Sequence, residues 1–487
     1  MPRHLARLTA LAALVTFGNA HAITLLATAT IAGTAHDLSG QTGLLENGVA
    51  GDLLGGIGSG LAWAGGNTFL ALPDRGPNAT PYNSGLDDTV SYINRFQTLT
   101  LALTPSVAGS PLPFDLTPRL AGTTLLSSST ALTYGAGTGT SVAGGLAMGY
   151  GAPALNTSSQ YYFTGRSDNF GAGNSLTASD ARLDPEGIRV SADGKSVFIS
   201  DEYGPYVYQF DRATVVRLRS YTLPSDLAVA NLSPIGNTEI SGNTSGRTAN
   251  KGMEGLAITP DGKTLVGIMQ AALIQDKASG ASKTVRIVTI DVATGATKQY
   301  AYNLTTGSGV SEIIALNDHQ FLVDERDGNG LGNGDGSAAA VKQLFQIDLT
   351  GAKEVTGLTG AALKAAAVTK GSSPFLNLVT LLNAAGVSST NIPSKIEGLA
   401  FGQDQVVNGV LMHTLFVAND NDFLANDVVG TTSTPNPNRW YVFGVTDAEL
   451  AAAGLSYVAQ AVPEPQTWAL WAAGLAGVVV VAKRRQR

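Results

Sequence analysis

A short Glu-Gly motif recurs in this chain, each time at the start of a run of residues that is typical of a β-strand. The copies are Glu186-Gly187, Glu254-Gly255 and Glu397-Gly398. A weaker copy contains Glu312, and Ser59-Gly60 has Ser in place of Glu. Similar motifs in distant segments indicate a repeated supersecondary unit. We therefore expect the four glutamates to meet where the repeated units meet.

Carboxylates that converge in a low-dielectric centre repel each other unless protons or cations neutralise them. Asp and Glu oxygens are ligands of Ca²⁺, which takes about six to eight oxygen atoms. The sequence therefore predicts a divalent cation, with Ca²⁺ as the expected ion. The predicted metal ligands are Glu186, Glu254, Glu312, Glu397, Asp201 and Asp420. The alternative is a structural role, in which these acids bond to backbone N–H groups or to Arg.

Three of these acids are also the candidates for catalysis, because a hydrolase needs a group that accepts a proton from water. The predicted catalytic residues are Glu186, Glu254 and Glu397. Further charged residues end the strand that follows several motifs, and the predicted substrate-binding residues among them are Asp74, Arg75, Glu202, Glu325 and Arg326. A guanidinium pairs bidentately with phosphate or carboxylate. Arg75 and Arg326 are therefore expected to bind an anionic ester, or else to neutralise the acids, and Arg166 and Arg189 are weaker candidates.

The elements that position these residues are β-hairpins. Asp193-Gly194 and Asp261-Gly262 each separate two apolar alternating runs, which is a strong hairpin signal. A third strand and a turn follow, and about four strands per repeated unit predict an all-β fold, a β-propeller. Five units are recognisable, near residues 57, 186, 254, 312 and 397. Their uneven spacing leaves room for degenerate blades, mainly in residues 120–162, so six or seven blades are expected.

Composition excludes several classes of function. The formal net charge is −7, and no basic stripe is available to neutralise phosphates, so nucleic acid is not expected as a partner. The chain has no cysteine, which excludes thiolate catalysis and Cys-ligated zinc. No Gly-x-Ser-x-Gly sequence occurs, which argues against an α/β-hydrolase esterase.

The two ends of the chain predict export. Residues 1–22 have basic residues, the apolar run Leu8–Phe17 and a small-x-small site, as in a cleaved signal peptide. Residues 23–460 are then the propeller domain. Residues 461–487 contain Pro463-Glu464-Pro465, a short hydrophobic helix over 468–482 and a basic terminus.

This end resembles a PEP-CTERM sorting tail. The resemblance implies processing by an exosortase-type enzyme after transient insertion into the inner membrane. A permanent single-pass anchor is the alternative. In both cases the domain is expected outside the cytoplasm, in the periplasm, on the cell surface or in the medium.

Several ordered phrases between about Ile57 and Phe443 resemble the family called esterase-like activity of phytase. They are Asp74-Arg75-Gly76-Pro77-Asn78, Asp184-Pro185-Glu186-Gly187-Ile188, Asp201-Glu202-Tyr203-Gly204, Lys251-Gly252-Met253-Glu254-Gly255-Leu256 and Asp324-Glu325-Arg326-Asp327. The resemblance implies a propeller related to the calcium-dependent phytases and a phosphoester hydrolase activity. Two alternatives stay open: a metal-dependent lactonase-type hydrolase, and a non-catalytic propeller that binds extracellular polysaccharide or a surface partner.

Overall fold

The computed structural model describes residues 23–82, 89–134, 151–165, 173–233 and 236–461. The predicted signal peptide, Arg166 and the hydrophobic part of the predicted sorting tail lie outside these residues and stay predictions. Within the described ranges, no helix has the length and apolar character needed to cross a membrane.

Five antiparallel sheets are arranged around one axis, as the blades of a β-propeller. Blade 1 consists of Gly60–Trp63, Thr68–Leu72, Arg95–Pro105 and Phe114–Leu125. Blade 2 consists of Pro185–Val190, Ser196–Asp201, Tyr206–Asp211 and Arg217–Thr222. Blade 3 consists of Met253–Ile258, Thr264–Met269, Thr284–Asp291 and Thr297–Asn303. In each blade the first strand lies innermost, next to the first strands of the neighbouring blades.

The last two blades depart from the simple pattern of four consecutive strands. Blade 4 consists of Gly309–Ala315, Gln320–Arg326, Lys342–Asp348 and the short outer pieces Thr369–Lys370 and Leu376–Asn377. Blade 5 consists of Lys395–Phe401, Val410–Asp420, Asn438–Val445 and, from the other end of the chain, Thr24–Ile31, with Gln405–Val407 beside the second strand. Because the first strand of the chain pairs with Asn438–Val445, the ring is closed by backbone hydrogen bonds between the two ends of the domain.

Short elements complete the described fold. Asn426–Val429 pairs with Thr432–Pro435, and Ser127–Ser128 pairs with Tyr161–Tyr162. The α-helices are Gly236–Gly242, Ile274–Ala278, Gly360–Ala365, Leu378–Ala384 and Asp447–Ala452, and Ser225–Leu227 is a 3₁₀-helix. The apolar core lies between neighbouring blades, where Val, Ile, Leu and Phe side chains of facing sheets are buried together.

The expected blade number was wrong, because the described residues form five blades and not six or seven. The stretch 120–162 was expected to hold degenerate blades. Its first residues instead extend Phe114–Leu125, which pairs with Arg95–Pro105 along its length. The described remainder contributes a ladder of two residues per strand. This stretch is rich in Gly, Ser and Thr and lacks the alternating apolar residues that a sheet packed on both faces requires.

The glycine of the Glu-Gly motif has a packing role at the narrow axis of the ring. A Cβ atom on Gly187 would lie 2.5 Å from Cβ of Leu256 in the next blade. A Cβ atom on Gly255 would lie 2.8 Å from Cα of Glu312, again in the next blade. Only glycine therefore allows these inner strands to approach each other so closely.

The channel along the axis is blocked by a side chain. The Arg189 guanidinium donates to the carbonyl oxygen of Leu61 in blade 1 at 2.7 Å and to that of Ile313 in blade 4 at 3.1 Å. It also pairs with the Glu312 carboxylate at 2.8 Å. Arg189 is therefore a structural plug, and the cavity described below opens on one face of the ring.

Candidate functional site

The inner strands of blades 2 to 5 each have an irregular pairing step at the motif. Such a bulge leaves a residue outside the ladder and changes the direction of its side chain. The equivalent residues of the five blades are Ser59, Glu186, Glu254, Ser311 and Glu397. The three glutamates among them line one cavity of about 430 Å³. The structure thus brings together the three acids that the sequence analysis selected for catalysis.

A second set of equivalent residues lines the same cavity. These residues stand where the second strand of each blade reaches the mouth, and they are Asp74, Glu202, Gln270, Arg326 and Asp420. One position in five blades therefore carries three acids, one amide and one guanidinium. We call the cavity together with its lining residues the mouth.

Two predicted site residues precede this second set by one position and do not line the mouth. The Asp201 carboxylate accepts the backbone N–H of Asp184 at 3.1 Å. The Glu325 carboxylate accepts the Tyr302 hydroxyl at 2.6 Å and pairs with Lys370. Successive side chains of a strand point to opposite faces. A shift of one residue therefore directs both acids away from the cavity, towards structural partners.

Glu312, a predicted metal ligand, also lies one residue from the position expected for it. The bulged position of blade 4 is Ser311, whose hydroxyl accepts a hydrogen bond from Arg326. Glu312 occupies the position of the motif glycine, pairs with Arg189 and accepts the backbone N–H of Leu256 at 3.0 Å. The structure does not bring Glu312 to the mouth, and its bonds fit the structural role.

Three carboxylates from blade 2 form what we call the Glu186 cluster: Asp184, Glu186 and Glu202 each offer an oxygen atom within 4.8 Å of the others. Arg75 pairs with Asp184 at 2.7 Å, and its guanidinium lies 3.9 Å from Glu202. Glu202 also accepts the backbone N–H of Gly252 at 2.7 Å.

Glu186 itself is only 6% exposed, and no side chain or backbone group of the described residues gives it a hydrogen bond or ion pair. Burial, together with the charges of Glu254 and Asp184, raises its pKa well above the usual value. A carboxyl group in this position is stable only with a proton or with a cation beside it.

Three other carboxylates form what we call the Lys395 cluster: Asp74, Asp420 and Asp422 also offer oxygen atoms within 4.8 Å of one another. Lys395 pairs with Asp420 at 2.9 Å and with Asp422 as well. Burial raises the pKa of Asp74 to about 7, although Lys395 opposes the shift. One lysine therefore compensates part of the charge, and Asp74 is a group that exchanges its proton near neutral pH.

Between these clusters, Arg326 connects two of the three mouth glutamates. Its guanidinium pairs with Glu397 at 2.7 Å and with Glu254 at 3.4 Å. Glu254 also accepts the Gln270 amide at 2.6 Å. Burial, followed by the charge of Glu397, raises the pKa of Glu254 to about 7. Arg326 thus neutralises acids, which was one of the two roles expected for it, and it remains within the cavity lining.

Backbone strain is concentrated at the mouth. Four residues other than glycine that line it have a positive φ: Tyr82 (57°), Asn250 (52°), Asp422 (52°) and Phe423 (56°). This conformation is unfavourable for residues with a side chain, and it persists where the surrounding structure holds a functional geometry.

The sequence analysis did not select Lys251, Gln270 and Lys395 as site residues, although all three line the mouth. A signal for the lysines was present. Lys251 and Lys395 stand shortly before the motif glutamates of blades 3 and 5, as Asp184 does in blade 2. In blades 3 and 5, a charged residue just before the motif therefore lines the mouth.

Comparisons with known proteins identify the family of this chain. A family model described as "Phytase-like: Esterase-like activity of phytase" matches residues 52–423. An uncharacterized secreted protein of Arthroderma benhamiae is 29% identical over 334 residues, which are 57% of this chain and 60% of the relative. The chain therefore spans less than two thirds of the length of that relative.

Solved structures give weaker likenesses. The hydrazine synthase of Kuenenia stuttgartiensis is 11% identical with a TM-score of 0.29, over 76% of this chain and 78% of the other. A protein of Bacteroides uniformis provisionally named a 6-phosphogluconolactonase is 14% identical with a TM-score of 0.30, over 84% of this chain and 98% of the other. At these TM-scores, neither likeness carries a functional argument.

Proposed function

We propose that this chain, which belongs to the family described as "Phytase-like: Esterase-like activity of phytase", is an exported, metal-dependent hydrolase of phosphate esters. The secreted relative supports export. The observation that carries the proposal is the Glu186 carboxylate, which is buried in the lining of the cavity and has no partner among the described residues.

The chemistry of the Glu186 cluster fits a hard divalent cation such as Ca²⁺. Asp184, Glu186 and Glu202 supply oxygen ligands within 4.8 Å of one another, and Arg75 balances only part of their charge. These residues would hold the ion, with Glu186 as the ligand that has no competing bond. When bound, such an ion polarises a phosphoryl oxygen and lowers the pKa of a bound water molecule.

Other mouth residues have roles that follow from their protonation. Asp74 and Glu254 both have a pKa raised to about 7. A group with such a pKa exchanges a proton efficiently at neutral pH. We assign Glu254 as the base that removes a proton from water and Asp74 as the acid that protonates the leaving alcohol. Arg326 holds Glu254 in place through its contact at 3.4 Å.

The test is an assay of the full chain, first stripped of metal with EDTA and then supplied with Ca²⁺. We expect a phosphomonoester such as para-nitrophenyl phosphate, or phytate, to be hydrolysed only after Ca²⁺ is added. Glu186→Gln should abolish this activation. Glu354→Gln is the matched control, because that glutamate is exposed and lies outside the mouth.

The outcomes separate the alternatives. Hydrolysis of lactones without hydrolysis of phosphate esters would replace the proposal with the lactonase-type reading. The non-catalytic propeller would be favoured by two results together: no hydrolysis of any ester with any added metal ion, and binding of an extracellular polysaccharide.

A further inference from the structure

Four cationic side chains line the mouth, and three of them are bound by carboxylates. Arg75 pairs with Asp184 at 2.7 Å, Arg326 pairs with Glu397 at 2.7 Å, and Lys395 pairs with Asp420 at 2.9 Å. The fourth cation is Lys251. Within the part of the chain that the structure describes, no carboxylate lies within 4 Å of its ammonium group.

The partner of Lys251 is neutral. Its Nζ donates to the amide oxygen of Gln270 at 3.1 Å. The amide nitrogen of the same Gln270 side chain donates to Glu254 at 2.6 Å, so one amide connects the ammonium to a mouth glutamate. Unlike the other three cations, Lys251 has no ion pair with an acid among the described residues.

The two residues next to Lys251 in the chain are both held at the mouth by hydrogen bonds. The Asn250 side chain accepts a hydrogen bond from Arg75, and the backbone N–H of Gly252 donates to Glu202 at 2.7 Å. The flanking residues are therefore tied to the Glu186 cluster and to its arginine. Lys251 itself is an exposed residue and belongs to the cavity lining.

We propose that Lys251 binds the phosphate group of the substrate; this inference rests on the proposed function and adds the residue that recognises the anion. The mouth has an excess of carboxylates, so a phosphate dianion needs an uncompensated cation as well as a metal. An ammonium group is a compact point charge that binds phosphate oxygen atoms.

The test measures binding of inorganic phosphate to the full chain by calorimetry in the presence of Ca²⁺. We expect Lys251→Met to weaken phosphate binding about tenfold or more, since one charge-assisted hydrogen bond is lost. Lys251→Arg should keep most of the affinity. Lys263→Met is the matched control, because that lysine lies in an exposed hairpin turn with Asp261 at 3.1 Å.

Phosphate binding is measured without turnover. A failure of the Lys251 proposal can therefore be distinguished from a failure of the hydrolase proposal. Weaker binding by Lys251→Met in a protein that hydrolyses no ester would support Lys251 and overturn the hydrolase. In an active enzyme, Lys251→Met should raise KM much more than it lowers kcat. Unchanged phosphate affinity in Lys251→Met, or no phosphate binding by the unaltered protein, would overturn the inference. A cooperative thermal unfolding curve for each variant shows that it is folded.

Discussion

Each of the two acidic clusters contains three carboxylates with oxygen atoms within 4.8 Å of one another, but their counter-charges differ. In the Lys395 cluster, one lysine contacts Asp420 and Asp422, and both contacts are ion pairs. In the Glu186 cluster, Arg75 contacts Asp184 closely and leaves Glu186 without a partner among the described residues. Counting acids therefore does not identify a metal site, and the decisive feature is which acids the protein itself has already neutralised.

Because the two clusters differ in which carboxylates pair with a cation of the protein, we expect different chemistry on each side of the mouth. In the Lys395 cluster the lysine pairs with two of the three acids, so this cluster is suited to proton transfer by Asp74. In the Glu186 cluster the arginine pairs closely with Asp184 only, so Glu186 is suited to binding a cation. Arg75 lies between them, since it follows Asp74 in the chain and pairs with Asp184 in blade 2.

The largest effect is expected when Lys395 loses its charge. Lys395→Met leaves Asp74, Asp420 and Asp422 together without their lysine, and removing one partner of a buried ion pair costs roughly 3–5 kcal/mol. Urea unfolding of the variant should show a loss of stability in this range. Lys395→Arg keeps the charge and should lose much less. Equal stability of Lys395→Met and the unaltered protein would remove the contrast between the clusters.

A smaller effect is expected from Glu186→Gln, and its sign depends on calcium. An ion that binds only the folded state stabilises it by about 2.7 kcal/mol at a concentration of 100 times Kd. The unaltered protein should therefore melt at a higher temperature in Ca²⁺ than in EDTA, and Glu186→Gln should not. In EDTA the variant should be the more stable protein, because one repelling carboxylate is gone.

Asp422→Asn is the matched variant for the same measurement, since it changes an acid of the Lys395 cluster. It should keep the stabilisation by Ca²⁺. Loss of that stabilisation in Asp422→Asn, with retention in Glu186→Gln, would move the metal site to the other cluster.

The sequence predicted the repeated unit well, and it predicted the blade number poorly. The Glu-Gly motif and the Asp-Gly turns are local signals, and all five recognisable units are blades. The closing strand Thr24–Ile31 belongs to blade 5 through contacts with the far end of the domain. No local pattern reveals such a pairing. Unequal insertions between units suggest room for further blades, but the first residues of 120–162 extend an existing strand.

The site was predictable to within one residue. Glu186, Glu254 and Glu397 meet at the mouth as expected, because the motif fixes both the bulge and the glycine beside it. Glu312 and Glu325 are neighbours of mouth positions and point elsewhere, because a side chain changes face with each step along a strand. The sequence shows which segments meet, but the register of each strand decides which of two adjacent acids faces the cavity.

The smallest expected effect is on how the free energy of unfolding changes with pH. This dependence distinguishes the two clusters, because each cluster binds protons through a different acid. Burial raises the folded-state pKa of Asp74 from 3.8 to about 7, so the folded protein binds more protons than the unfolded chain between these pH values. The stability that Asp74 contributes to the folded protein is therefore fully present below about pH 4 and is lost as the pH rises to about 7. The slope is at most about 1.4 kcal/mol per pH unit for each proton.

Asp74→Asn should reduce this slope between pH 4 and 7, both in EDTA and in Ca²⁺, because Lys395 and not the metal is the counter-charge of that cluster. The raised pKa of Glu186 gives a slope of the same sign in EDTA. Calcium should remove that part, since a bound cation replaces the proton. Differences between matched melting curves report the substituted group together with the neighbouring acids that titrate with it. A slope that calcium abolishes in full, with Asp74 intact, would mean that the ion also binds the Lys395 cluster.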